Sequence, residues 1–184
     1  MIEELLGDLT KITVKKICGK SVSPYLPHDI LDAINKRSQR ALVAKGIMTF
    51  FEIGEVGDLV SAGLIWKMYA DINESLGISF SKNLLKSVAS GVVANVGAFL
   101  VAGNLAAHIP GYGQTFAPFV EGTLEYAIVV TSAYIYLKAL NLLIDRHGKY
   151  FTEEQAKSCV DSYMNSHQNE IRSFVQNVAK KKQG

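Results

Sequence analysis

Two carboxylates stand four residues apart in one of the most apolar parts of this 184-residue chain. On a helix, Glu121 and Glu125 would lie one turn apart and share a face. If that face is buried beside Asn95 or Asn104, the pair makes a polar, pH-sensitive contact inside an apolar helix pair. If it is exposed, both carboxylates simply meet water. The sequence leaves both interpretations open.

Patterns for catalysis or for a bound cofactor are not found in the sequence. It has no GxxxxGK[ST] phosphate loop, no HExxH and no GxSxG, and its four histidines are scattered. Its two cysteines stand alone without the CxxC spacing of a metal or redox site. We therefore expect a non-enzymatic protein with no catalytic residues, no cofactor and no metal.

Composition excludes several classes of protein. Hydrophobic residues make up 48% of the chain and charged residues only 20%, which is untypical of a disordered protein. The net charge is +2 and the basic residues are dispersed, so we expect no nucleic-acid partner. Glu3 and Glu4 precede any basic residue, which is unlike a secretory signal, and we expect a cytosolic setting.

Apolar periodicity predicts helices almost throughout. Amphipathic helices are expected over residues 2–19, 29–44, 59–76 and 153–179. The first is expected to turn an apolar stripe that includes Leu5 and Ile12 toward the core. We expect one all-α domain over 1–184, a multi-helix bundle around a central apolar helical hairpin. Its parts are N-terminal amphipathic helices (1–45), a hairpin-containing core (46–146) and a C-terminal amphipathic helix (152–182).

Local signals at the ends of these helices support the boundaries. Asp29 is expected to cap the second helix, and Gly77 to end the third. Thr152, with Gln155 three residues later, predicts a capping box at the start of the last helix.

The hairpin is predicted from a long uncharged stretch. From Ser87 to Val120 there is no Asp, Glu, Lys or Arg. A turn containing Pro110, Gly111 and Gly113 divides it into helices of roughly 84–108 and 115–145. Small residues on the first arm are expected to let the second approach closely, and they are Gly91, Ala94, Ala98, Ala102 and Ala106.

Such a hairpin suits either a membrane or a protein core. About 20 apolar residues cross a bilayer, and all Lys and Arg lie before Ser87 or after Leu137, which would keep both flanks cytoplasmic. The Asn and Glu residues within the arms oppose insertion, because each is unfavourable in lipid. The alternatives are a hairpin buried in a soluble bundle, or one stored there and inserted when the bundle opens.

Residues 41 to about 146 resemble the YcjF-like family, a domain of unknown function that often accompanies bacterial GTPases. The order of features carries the resemblance: an apolar helix, a turn with an Asp at 54–58, and a helix ending at Gly77. A Gly/Ala-rich helix at 90–107, the turn Ile109–Gly113 and a helix rich in small and aromatic residues follow. The resemblance implies a membrane-associated helical module beside a separately encoded GTPase, and it implies no catalytic residues.

We therefore expect a non-enzymatic, membrane-associated helical protein whose central hairpin contacts or inserts into the bilayer. Its expected partners are membrane lipid and a GTPase, and self-association is left open. The expected location is the cytoplasmic side of a membrane, the inner membrane in a bacterium. The alternatives are a soluble all-α interaction or scaffold domain, and a pore-forming protein with a stored hairpin.

Overall fold

The computed structural model of this protein describes residues 2–19, 22–43, 60–102 and 117–183. These residues form seven α-helices, and none of them lies in a strand, so the all-α prediction is confirmed. The helices are α1 (Ile2–Cys18), α2 (Leu26–Val43), α3 (Val60–Leu76), α4 (Lys82–Ala102), α5 (Ala117–His147), α6 (Glu153–Ser166) and α7 (Gln168–Gln183).

Two of the predicted helix ends are confirmed. Gly77 has a φ of 69°, in the left-handed region that glycine favours, and it ends α3. The hydroxyl oxygen of Thr152 accepts a hydrogen bond from the Gln155 amide (3.2 Å), and the Gln155 side chain accepts one from the Thr152 amide (2.8 Å). This capping box starts α6 and satisfies two amides that the helix leaves without partners.

The start of α2 differs from the prediction. The helix begins at Leu26 and not after Asp29, which lies within its first turn. Pro27 is tolerated there because the amides of a first turn need no helical partner. The Leu26 amide instead donates to the Ser23 carbonyl at 3.2 Å.

The predicted C-terminal helix is two helices separated at His167. This residue has φ −121° and ψ 28°, and its ring stacks on Tyr163 with 4.2 Å between ring centroids. The apolar periodicity continues across the break, which is why the sequence predicts one helix. Across this break, the Tyr163 hydroxyl of α6 donates a hydrogen bond to Glu170 of α7.

Helix α5 is the centre of the bundle. It contacts each of the other six helices, and every residue from Ala127 through Leu137 is at most 4% exposed. A helix buried on all sides is apolar all round, as the sequence indicates. Helix α4 packs beside α5 and also contacts α3, α6 and α7. The two predicted arms are therefore both helical and in contact, and the turn residues Pro110, Gly111 and Gly113 lie outside the described residues.

The buried face of α1 differs from the expected stripe. Leu5 and Ile12 are 43% and 49% exposed, whereas Thr10 and Thr13 are fully buried. Each threonine hydroxyl donates to a backbone carbonyl four residues earlier, at 2.7 and 2.8 Å. A hydroxyl satisfied in this way is readily buried, so these two threonines face the core together with Leu6 and Leu9 of the expected stripe.

Candidate functional site: the central helix and its polar contacts

The stretch Gly122–His147 of α5 is 26 residues long and is apolar and long enough to cross a membrane. In its most apolar 18-residue segment, 83% of the residues are buried within the bundle. Core helices of soluble proteins also meet these criteria of length and hydropathy. Among the residues that the structure describes, it is the one helix that meets these criteria. How the other helices hold α5 is therefore the central functional question.

Helix α1 holds the C-terminal half of α5 by a buried hydrogen bond. The Asn141 amide nitrogen donates to the Thr13 hydroxyl at 2.6 Å and to the Leu137 carbonyl at 2.9 Å. Near the bundle surface, the Lys16 ammonium contacts Asp145 at 2.6 Å. That outer pair is exposed and contributes at most about 1 kcal/mol, so the buried contact is the more specific of the two.

Helix α3 holds the middle of α5 through two tyrosines. Tyr69 and Tyr136 stack with ring centroids 3.9 Å apart and 14° between their planes. The Tyr136 hydroxyl donates to Asn73 Oδ1 at 2.8 Å, and the Tyr69 hydroxyl donates to the Ser132 carbonyl at 3.3 Å. Burial raises the pKa of both tyrosines above 10, so both hydroxyls remain protonated donors at neutral pH.

Helices α6 and α7 hold α5 through a carboxylate that accepts from two tyrosines. The Tyr134 hydroxyl of α5 and the Tyr163 hydroxyl of α6 both donate to Glu170 Oε1 of α7. Burial raises the pKa of Tyr134 to about 12, with the bond to Glu170 adding to it. Burial is the largest single influence on Glu170 and opposes its ionisation, but the two hydroxyl donors together with the nearby Lys138 and His167 outweigh burial and lower the pKa of that carboxyl.

The N-terminal part of α5 contains a buried carboxylate and a very close backbone contact. Glu125 is 4% exposed, so the interpretation that both carboxylates face water is wrong for this residue. The side chain of Glu121 lies outside the described residues. A Cβ atom at Gly122 would lie 2.6 Å from the Leu42 carbonyl oxygen, so only glycine allows α2 and α5 to approach this closely.

Three of the small residues predicted to pack closely, Gly91, Ala94 and Ala98, do not make the predicted helix contact. Ala94 and Ala98 are exposed, and a Cβ atom at Gly91 would have no neighbour within 4 Å. The buried side of α4 carries mostly larger aliphatic residues, Leu85, Val88, Val92, Val93 and Val96, together with the small residues Ala89 and Gly97. Small residues are needed where backbones touch, and here the valines fill the space between the helices.

Asn95 of the first arm does not make the buried contact with the two carboxylates that one interpretation of the sequence predicts. Asn95 is exposed, and its side-chain amide donates to the Gly91 carbonyl at 2.8 Å within the same helix. The side chains of Asn104, Ala102 and Ala106 lie outside the described residues. Asn95 therefore does not face Glu125 in the interior.

Sequence reasoning missed a cluster of three lysines around the only tryptophan. The ammonium groups of Lys67, Lys82 and Lys86 lie 5.8, 5.1 and 5.7 Å from the centroid of the Trp66 ring. The spacing of Lys82 and Lys86 by four residues was the visible signal. Their proximity to Trp66 depends on how α3 packs on α4, which no local pattern shows.

Among the residues that the structure describes, no three or more His, Cys, Asp or Glu residues come together in a group that could hold a metal ion. Comparisons of the chain with protein-family models, with curated proteins and with solved structures find no match. The resemblance to the YcjF-like family thus stays a prediction.

Proposed function

We propose that this protein is a non-enzymatic, membrane-associated helical protein that keeps an apolar helix inside a bundle and presents it to the bilayer. The observation that carries the proposal is the 26-residue stretch Gly122–His147 of α5, which contacts each of the six other helices among the described residues. About 20 apolar residues suffice to cross the hydrocarbon core. Amphipathic outer helices are suited to both states, because they can cover α5 or lie on a membrane surface.

Incompletely satisfied polar groups around α5 lower the stability of the closed bundle. The hydroxyl of Thr131, the amide nitrogen of Asn73 and Oδ1 of Asn141 are buried without a hydrogen-bond partner in the described part of the chain. Each such group costs about 1–3 kcal/mol relative to a satisfied one. The closed bundle is therefore less stable than its apolar area alone would indicate.

The proposal includes the expected setting and partners. We place the protein on the cytoplasmic side of a bacterial inner membrane, with anionic lipid as one partner and a separately encoded GTPase as another. The lipid contact is supported by the exposed lysines near α3 and α4. The GTPase partner is supported by the family resemblance alone.

Flotation with lipid vesicles tests the membrane proposal directly. Full-length protein purified without detergent is mixed with vesicles of phosphatidylcholine with or without phosphatidylglycerol, at pH between about 5 and 8, the range in which histidine titrates. We expect the protein to float with the anionic vesicles. Recovery only in the soluble fraction at every pH would contradict the proposal. Release of a trapped dye would instead indicate the pore-forming alternative.

A reversible lock tests whether α5 itself reaches lipid. Thr13→Cys and Asn141→Cys, in a chain with Cys18→Ser and Cys159→Ala, place two thiols where side chains now bond at 2.6 Å. With a photoactivatable phospholipid, reduced protein is expected to form lipid crosslinks within α5, and oxidised protein is not. Equal crosslinking of α5 in both states would contradict release of the helix. Crosslinking of outer helices alone would show surface binding without it.

A soluble interaction domain is the second candidate, and the direct hydrogen bonds from α5 to α1, α3 and α7 favour it. Bonds such as Tyr136 to Asn73 hold one register of the core helix, as a permanent core requires. This candidate predicts a monodisperse protein without detergent that never floats with vesicles. The flotation experiment therefore separates the two candidates.

A further inference from the structure

We infer that Trp66, Lys67, Lys82 and Lys86, here called the lysine–tryptophan patch, form a docking surface for anionic phospholipid headgroups. This inference deepens the proposed membrane association and rests on it. It assigns the first contact with the bilayer to a defined surface outside α5. The patch brings together α3 and the first turns of α4, helices that pack against each other.

The geometry concentrates positive charge around one aromatic ring. All three ammonium groups lie within 5.8 Å of the Trp66 ring centroid, and all three lysines are exposed. Each such cation–π contact at an exposed site contributes about 0.5–1 kcal/mol. Three like charges therefore lie around a single aromatic ring on the surface of the bundle.

The three lysines have no direct carboxylate partner among the described residues. None of the three lysines forms an ion pair there, although Lys11, Lys16, Lys138 and Lys157 each do. Glu153, the acidic residue bound at the start of α4, accepts hydrogen bonds from the Ser81 amide and hydroxyl instead. The three ammonium groups are therefore free of direct ion pairs with described carboxylates, and an external anion can contact them.

The type of anion follows from the chemistry of the patch. A half-buried tryptophan edged by lysines is typical of the membrane–water interface, where the ring lies at headgroup depth and ammonium groups meet phosphates. Lysines near an anionic surface contribute about 1 kcal/mol each. A flat lipid surface can engage all three lysines together, which favours it over a single small anion.

The outward side of α4 next to the patch is compatible with a bilayer. Beyond Lys86, the exposed residues of this helix up to position 98 are Ser87, Ala94, Asn95 and Ala98, and none carries a charge. A bundle docked through the patch would bring this face near lipid without desolvating a charged residue of this part of α4. This uncharged face is not part of the docking surface, but it does not hinder the approach of a bilayer to the patch.

The single tryptophan makes the inference directly measurable. Full-length protein is titrated with vesicles of phosphatidylcholine containing phosphatidylglycerol, and Trp66 emission is followed. We expect a blue shift, with stronger quenching by a quencher placed at the headgroup than by one at the acyl-chain end. Because the attraction is electrostatic, added salt is expected to reverse the shift. The same shift with inorganic phosphate alone would overturn the lipid assignment.

A matched pair of variants tests the patch. Lys82→Gln with Lys86→Gln is expected to weaken vesicle binding about 30-fold, the change that about 1 kcal/mol per lysine gives for two lysines. Lys36→Gln with Arg40→Gln removes the same charge from exposed positions of α2 and is expected to weaken binding much less. Equal weakening by both pairs, or vesicle binding without a Trp66 shift, would overturn the inference.

The failure of this inference is distinguishable from that of the proposed function. Lipid crosslinks within α5, together with unchanged binding by the patch variant, would overturn the patch and leave the proposed function standing. A Trp66 response that requires Lys82 and Lys86, without any α5 crosslink, would support the patch and overturn release of α5. A protein that binds no vesicles would overturn both.

Discussion

Helices α4 and α5 are the two apolar arms of the molecule, and they differ in how much of their surface is covered. Every residue of α5 from Ala127 through Leu137 is at most 4% exposed, and six other helices contact it. On α4, valines face the bundle while Ala94 and Ala98 face outward. Both arms lack charge over long stretches, so the size and distribution of the side chains decide which one becomes the core.

The difference shows that apolar composition and burial are separate properties. Large side chains on all sides of α5 need neighbours everywhere, because each exposed aliphatic side chain costs about 1.5–3 kcal/mol relative to a buried one. Small residues on the outer side of α4 expose little apolar area. An uncharged helix with one small-residue face can thus remain at the surface of a bundle.

A charge placed on each arm should give the largest contrast. Ile135→Asp puts an unpaired carboxylate at a fully buried position of α5, and we expect a loss of at least about 3–5 kcal/mol or failure to fold. The matched change Ala94→Asp on α4 is exposed and is expected to alter the unfolding free energy by no more than about 0.5 kcal/mol. Urea unfolding followed by circular dichroism measures both. Similar losses at the two sites would remove the distinction between the arms.

Glycine-to-alanine substitutions should change the unfolding free energy in opposite directions on the two arms. At Gly122 of α5 the new methyl would lie 2.6 Å from the Leu42 carbonyl oxygen, and we expect a loss of about 1–3 kcal/mol. At Gly91 of α4 nothing lies within 4 Å, and better helix propensity should stabilise the protein by about 0.5–1 kcal/mol. Thermal and urea unfolding give the two signs. A stabilising Gly122→Ala would contradict the close packing of α2 on α5.

Removing one hydroxyl tests the contact between α5 and α3. Tyr136→Phe keeps the stack on Tyr69 but deletes the hydrogen bond to Asn73, and we expect a loss of about 1 kcal/mol. Tyr150→Phe is the control, because Tyr150 is 94% exposed and should be insensitive to the change. If both substitutions leave the unfolding free energy unchanged, the buried bond contributes nothing to holding α5.

The smallest change in the unfolding free energy is expected at acid pH, where the contact of Glu170 of α7 with α5 is weakened. The pKa of Glu170 is lowered in the folded protein, so its stabilisation is complete above the ordinary value of 4.5 and is lost as pH falls through the lowered pKa. Glu170→Gln should remove this part of the acid dependence of the unfolding free energy. Glu74→Gln on α3 controls for the loss of one negative charge. Identical acid unfolding of wild-type and Glu170→Gln protein would contradict the role of the carboxylate.

Local signals in the sequence predicted the parts of the fold that depend on local chemistry. The capping box at Thr152 and the end of α3 at Gly77 are examples, because each needs only neighbouring residues. The break at His167 was missed because the apolar periodicity continues across it. The burial of Thr10 and Thr13 was missed because hydropathy scales treat threonine as polar. Such scales ignore the hydrogen bonds by which these hydroxyls donate to backbone carbonyls of the same helix.

The site was less predictable than the fold, since it depends on packing between distant segments. Asn141 and Thr13, which hydrogen bond in the core, are 128 residues apart in sequence. Glu125 was recognised as unusual, but its burial depends on how the neighbouring helices pack around α5. The spacing of Ala94 and Ala98 predicted a helix contact, whereas these residues lie on the outer side of α4.

The central claim is that α5 is the enclosed helix of the bundle while the other six helices surround it. Hydrogen exchange of the full-length protein in detergent-free buffer, read peptide by peptide, tests this most directly. The account predicts that amides of residues 127–137 exchange more slowly than those of α1, α4 and α7. Exchange of the α5 amides as fast as that of the surrounding helices would contradict it.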